Sequence, residues 1–167
     1  MGRLTAGGAI TMSPDAPSPA SATAPVNTTT PAGAASLKIT ASPGVAKLLA
    51  GKALVVLKDN LENVLAAGGI NPQGATSRVS VWVHACQRAA TDPVCKQGLA
   101  IFPAFAVTQT GFDASGVAMF NNVPSSGTFY LLADTSNTNH RLWNVRIDLK
   151  PGANLITFDE RNTTLLQ

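Results

Sequence analysis

Apolar and polar residues alternate with a period of two along much of this chain. The cleanest case places Trp143, Val145, Ile147 and Leu149 on one face and Asn144, Arg146 and Asp148 on the other. That spacing sends one set into a core and the other into water, as in a half-buried strand. Leu37, Ile39 and Ala41 alternate in the same way with Lys38, Thr40 and Ser42 before Pro43-Gly44. The aliphatic run Ala53 to Leu57, bounded by Gly51 and Asp59, is continuous and short, which fits a buried strand. Further strands are expected at 104–110, 117–123, 128–134, 142–149 and 154–159. Turn signals separate them. Asp113-Ala-Ser-Gly116 matches a type I turn, Pro124-Ser-Ser-Gly127 interrupts the next connection, and Lys150-Pro151-Gly152 suits a type II turn. About seven strands joined in this way predict consecutive antiparallel hairpins and an all-β sandwich.

Residues 60–100 break that rhythm. Asp59 followed by Glu62 resembles a capping box, and Leu61, Val64 and Leu65 follow at helical spacing before Gly68-Gly69. Val79, Trp82, Val83 and Cys86 fall at i, i+3, i+4 and i+7, although Val79, Val81 and Val83 also alternate as a strand would. Helix is the preferred reading, because Cys86-Gln-Arg-Ala-Ala continues in helix formers. A second short helix is expected from Asp92 to Leu99.

Composition divides the chain. Of the first 36 residues, 28 are Gly, Ala, Ser, Thr or Pro, and the only charges among them are Arg3 and Asp15. Such a segment has too little apolar surface to offset its ordering entropy, so 1–36 is expected to be a disordered low-complexity tail or linker, with the folded domain at 37–167. Over the whole chain 45% of residues are hydrophobic and only 13% are charged, which excludes a coiled coil or a histone-like DNA binder. The net charge of +3 is spread thinly, without the clustered cations and stacking aromatics of a nucleic-acid face. No apolar run approaches the length of a membrane-spanning helix.

Cys86 and Cys95 are the only cysteines. An even pair at this short separation suits a disulfide, with two buried thiols or zinc ligation alongside His84 and His140 as the alternatives. The spacing matches no standard zinc pattern. A disulfide would staple the helical hairpin and imply an oxidising compartment, hence a secreted or periplasmic protein. No secretory apolar core follows Arg3, because Thr5, Gly7, Gly8 and Thr11 interrupt the run to Met12. Export is therefore read from the thiols and from the Ser/Thr/Pro/Ala-rich tail.

The stretch Asp113-Ala-Ser-Gly116-Val-Ala-Met-Phe120-Asn-Asn-Val123-Pro124, followed by Gly127-Thr-Phe-Tyr130, resembles the carboxypeptidase regulatory-like domains, which are transthyretin (prealbumin)-like sandwiches. Their signature is a D-x-x-G turn, a strand and a V-P-x-G-x-Y sequence; here one extra residue separates Pro124 from Gly127, and Phe129 precedes Tyr130. Leu149-Lys-Pro-Gly152-Ala-Asn154 is similar to their closing hairpin. The resemblance implies an antiparallel Greek-key sandwich with the helices at 60–100 as an insertion. It also implies a non-catalytic exported module acting in protein–protein interaction or as an accessory domain.

Candidate chemistry is sparse. There are two histidines and none of the local signatures of hydrolases, metalloproteases or phosphate loops. The iron-dependent dioxygenases that share the fold need two Tyr and two His, and Tyr130 is the single tyrosine. No catalytic residue, cofactor or metal is expected. The candidate contact residues are Trp82, as a stacking aromatic, and Asn137, Asn139 and His140 in the polar loop at 135–141. They define the second function considered, a carbohydrate-binding module using sandwich loops and an exposed tryptophan. The partner would be an unidentified protein or a cell-surface glycan.

Overall fold

The computed structural model describes residues 34–72, 74, 77–136 and 140–165. Among the described residues we name eight strands, four α-helices and one 3-10 turn. In chain order these are β1 (Ala35–Ala41), α1 (Pro43–Leu49), β2 (Ala53–Leu57), α2 (Leu61–Ala67), α3 (Arg78–Arg88), α4 (Pro93–Phe105), β3 (Ala106–Gly111), β4 (Val117–Val123), β5 (Gly127–Asp134), β6 (Arg141–Leu149), β7 (Gly152–Phe158), the 3-10 turn Glu160–Asn162 and β8 (Thr164–Leu165). The seven longer strands lie where the sequence pattern predicts them, within two residues at each end. β1 starts at Ala35, inside the segment expected to be tail.

Two sheets form, with strand orders β4-β1-β7 and β3-β2-β5-β6-β8. β1 runs antiparallel to β4 but parallel to β7, with Leu37 opposite Asn154 and Ile39 opposite Ile156. The sandwich is therefore not purely antiparallel. Of the expected hairpins, β5–β6 pairs directly, from Gly127–Leu149 to Asp134–Leu142. β2 and β3 also pair, but with the whole helical insertion between them. The other three turns carry the chain from one sheet to the other. In the first, Gly116 donates to the Asp113 carbonyl at 3.0 Å, and the Asp113 carboxylate accepts from Ser115 N–H, Ser115 Oγ and Val117 N–H. In the last, Asn154 ties Lys150 at both its N–H and its carbonyl, and also donates to the Ser36 carbonyl of β1.

One core fills the space between the sheets. Leu37 and Ile39 from β1 meet Leu54 and Val56 from β2, and Trp143 lies fully buried, stacked on Phe158 with ring centroids 6.2 Å apart. The Trp143 indole N–H donates to the Asp159 carbonyl at 3.2 Å, so its one polar atom is satisfied. A second core lies on the opposite face of the larger sheet. There Leu57, Leu132 and Leu142 pack against Leu61, Val64 and Leu65 of α2 and against Trp82 and Val83 of α3. The molecule thus has three layers, sheet on sheet on helices, and is β-rich rather than all-β. The continuous run Ala53–Leu57 reflects this arrangement: both faces of β2 are covered.

The helix starts follow from side-chain caps. Asn60, not Asp59, caps α2 by accepting the Asn63 N–H at 2.8 Å. Glu62 does not close a capping box. Its carboxylate accepts the N–H groups of Arg78 and Val79, each at 3.1 Å, and so satisfies the start of α3. Ser77 caps α3, which settles 79–86 as helix. Asp92 caps α4, which has Pro93 in its first turn and continues six residues past Leu99. α1 is not anticipated by the reading of Pro43-Gly44 as a turn. Ser42-Pro43 followed by Val45 and Leu49 is its signal, with proline at the first helical position.

Candidate functional site

The larger sheet is apolar on both faces, and its helical cover is incomplete. Val55 of β2 pairs with Gln109 of β3 on one side and with Leu132 of β5 on the other. Strand alternation places these residues, with Ala53 and Asp134, on the face turned towards the helices. α4 passes over them without closing the space. A cleft of about 490 Å³ remains, floored by Ala53, Val55, Ala106 and Leu132 and roofed by Trp82, Leu99, Phe102 and Pro103. Gln109 and Asp134 supply its polar lining, one from each strand beside β2. The volume falls in the roughly 300–1,000 Å³ range of small-molecule sites, and a mostly apolar wall with a few polar groups is their usual character.

Three contacts join α4 to α3. The disulfide joins Cys86 near the end of α3 to Cys95 in the first turn of α4, with Cα atoms 4.8 Å apart. The Trp82 indole N–H donates to the Cys95 carbonyl at 3.2 Å. Trp82 and Phe102 meet edge to face, with ring centroids 5.4 Å apart. Gly98 lets the helix approach this closely, since a Cβ there would run into the Trp82 ring. Arg88 and the N–H of Val94 both bind the Asp92 carboxylate, and the Val94 bond, then Arg88, hold its pKa below the ordinary value.

The structure separates the candidate residues named from sequence. Cys86 and Cys95 are bonded to each other. Trp82 lines the cleft but is only 4% exposed, and Trp143 is 0% exposed, so neither tryptophan is the exposed platform that sugar stacking requires. Asn137 and Asn139 lie outside the described residues. His140 is exposed with a left-handed backbone (φ 53°), and its Nδ1 lies 3.3 Å from Gln87 Nε2 of α3. It does not line the cleft. Thr135 and Ser136, at the start of the expected recognition loop, are buried, and Gln87 also donates to the Ser136 carbonyl at 3.0 Å. His84 is exposed on α3, and among the described residues no three His, Cys, Asp or Glu side chains gather into a metal-ligand group.

Asp134, Gln109, Leu99 and Phe102 escaped sequence reasoning. The alternation of β5 puts Asp134 in phase with Leu132, but nothing local shows that α4 roofs them both. No described helix is long and apolar enough to cross a membrane. No protein-family model matches the chain, and no curated protein is similar to it above the level of chance.

Proposed function

We propose that this chain is a non-catalytic, exported binding module whose ligand surface is the cleft between α4 and the larger sheet. The observation that carries the proposal is the cleft itself. It is an apolar space of small-molecule size, walled by two aromatic rings and held open by a disulfide-fixed helix. The Cys86–Cys95 bond supports export, because such bonds persist in oxidising compartments. The carboxypeptidase regulatory-like reading draws support from the Asp113–Gly116 turn running into β4 and from Gly127 opening β5, the order that resemblance assigns. In that setting the module serves a larger exported system as an accessory or interaction domain.

The test is occupancy by a neutral apolar fluorophore. N-phenyl-1-naphthylamine titrated into the full chain is expected to brighten and saturate with one site per molecule. Ala53→Trp, which fills the cleft floor from an exposed position, is expected to weaken that binding at least tenfold with Tm unchanged. No saturable binding, or equal binding by Ala53→Trp, would overturn the assignment of the cleft.

A further inference from the structure

The cleft has one formal charge in its lining among the described residues, the carboxylate of Asp134. Asp134 is half-buried, and its Oδ1 accepts the Ser136 N–H at 2.7 Å, which fixes the side chain at the end of β5. Among the described residues that is its one hydrogen bond, against about four lone-pair sites on its two oxygens. Among the described residues no lysine or arginine forms an ion pair with it; the five ion pairs present all lie elsewhere. A carboxylate against an apolar wall, with no cation paired to it among the described residues, is a group whose desolvation a bound cation would offset.

One helical hydrogen bond is missing from the roof. Pro103 has no N–H to give the Leu99 carbonyl one turn earlier in α4, and both residues line the cleft. The rings of Trp82 and Phe102 favour a cation near their faces and an apolar body elsewhere. Acceptors and aromatic rings line this space, and Gln109 is the one side-chain amide that also donates.

From this juxtaposition we infer that the cleft selects a small organic ammonium ion: a primary or secondary amine, protonated at neutral pH, carried on an apolar body. The inference rests on the cleft being a binding site, and it adds the charge of the ligand. The ammonium hydrogen-bonds the Asp134 carboxylate, and the body lies between Val55 and Leu132 below and Phe102 above. Carboxylate-bearing molecules of the same size are repelled by the same group.

The experiment uses three probes of one shape: 1-naphthylmethylamine, 1-naphthylmethanol and 1-naphthoate. Each displaces N-phenyl-1-naphthylamine from the full chain at pH 7 and low salt. The ammonium probe is expected to bind at least tenfold tighter than the alcohol, with the carboxylate weakest. Asp134→Asn keeps an oxygen for the Ser136 N–H and is expected to erase the tenfold preference of amine over alcohol. Ala53→Trp is expected to weaken all three. Equal affinity of amine and alcohol on the unmodified chain overturns the ammonium inference and leaves cleft binding standing, with no variant needed. A preference that survives Asp134→Asn places the cation elsewhere and also overturns it. Failure of the neutral dye to bind removes both readings together.

Discussion

Gly98 and Trp82 form the tightest contact in the helical layer. The tryptophan cannot easily yield, because its N–H is bonded to the Cys95 carbonyl, its edge meets Phe102, and Ile70 presses on the same glycine. Gly98→Ala would gain about 1 kcal/mol of helix propensity. Against that stands overpacking of a fixed ring, which costs about 1–3 kcal/mol. The expected outcome is a net loss of up to about 2 kcal/mol, read as a lower midpoint in urea with an altered tryptophan emission in the folded state. A midpoint equal to or above the unmodified protein's would show that Trp82 has room to move. The spacing Val79, Trp82, Val83, Cys86 already places Trp82 on the buried side of a helix. It could not show that a glycine sixteen residues later is what the ring packs against, because that contact exists only once the disulfide and the turn at Asp92 bring α4 back.

At the scale of elements, α4 is the helix of the layer that carries the covalent tie. Its sequence is mostly apolar, yet Cys95 and Gly98 are its only buried residues, and Leu99 is 51% exposed. Its other core contacts, from Val94, Ile101, Phe102 and Phe105, are only partly buried, so the covalent tie adds much to its hold. Closing a loop of this size stabilises by about 2–3 kcal/mol in the chain-entropy picture. The double variant Cys86→Ser/Cys95→Ser is expected to lose about that much, and hydrogen exchange should locate the loss. Amides of α4 should lose protection while those paired between β5 and β6 keep theirs. Uniform loss across the sheet would mean that α4 unfolds only with the whole molecule. The elements themselves were largely legible: alternation, one continuous aliphatic run and turn signals give seven strands, and i, i+3, i+4 spacing gives α2 and α3, although the caps Asn60 and Ser77 escaped sequence reasoning. The sheet that each strand joins was not. A Pro-Gly turn such as Lys150-Pro151-Gly152 specifies a reversal, not whether the next strand pairs with its neighbour or crosses to the facing sheet. The parallel β1–β7 pair links residues more than a hundred positions apart, beyond the reach of any local pattern. The cleft was illegible for the same reason, since it joins β2, β3 and β5 to a helix from the insertion.

Over the whole molecule, few charges carry the response to acid. Three aspartates sit at separate joints and have pKa values below the ordinary 3.8: Asp92 at the start of α4, Asp113 in the turn between the sheets and Asp148 across the β5–β6 pair. The first cause is the Val94 N–H for Asp92, the Ser115 hydroxyl for Asp113 and the Thr128 hydroxyl, 2.6 Å away, for Asp148. A carboxylate with a depressed folded-state pKa contributes stability that is fully present above its unfolded value and is lost as pH falls through its folded value. Tm is therefore expected to hold steady from about pH 7 to about pH 5 and to decline below about pH 4. A competing cause acts in the same window, because protonating acids raises a net charge that is already +3 and increases self-repulsion. Salt separates the two. Added salt screens long-range repulsion but leaves short hydrogen bonds nearly intact. If the three joints dominate, the decline should persist at high salt, and Asp113→Asn or Asp148→Asn should each make it shallower, since an amide keeps an acceptor oxygen and does not titrate there. If high salt abolishes the decline and the variants do not change it, net charge alone governs acid stability, and the three bonded aspartates have no special part in it.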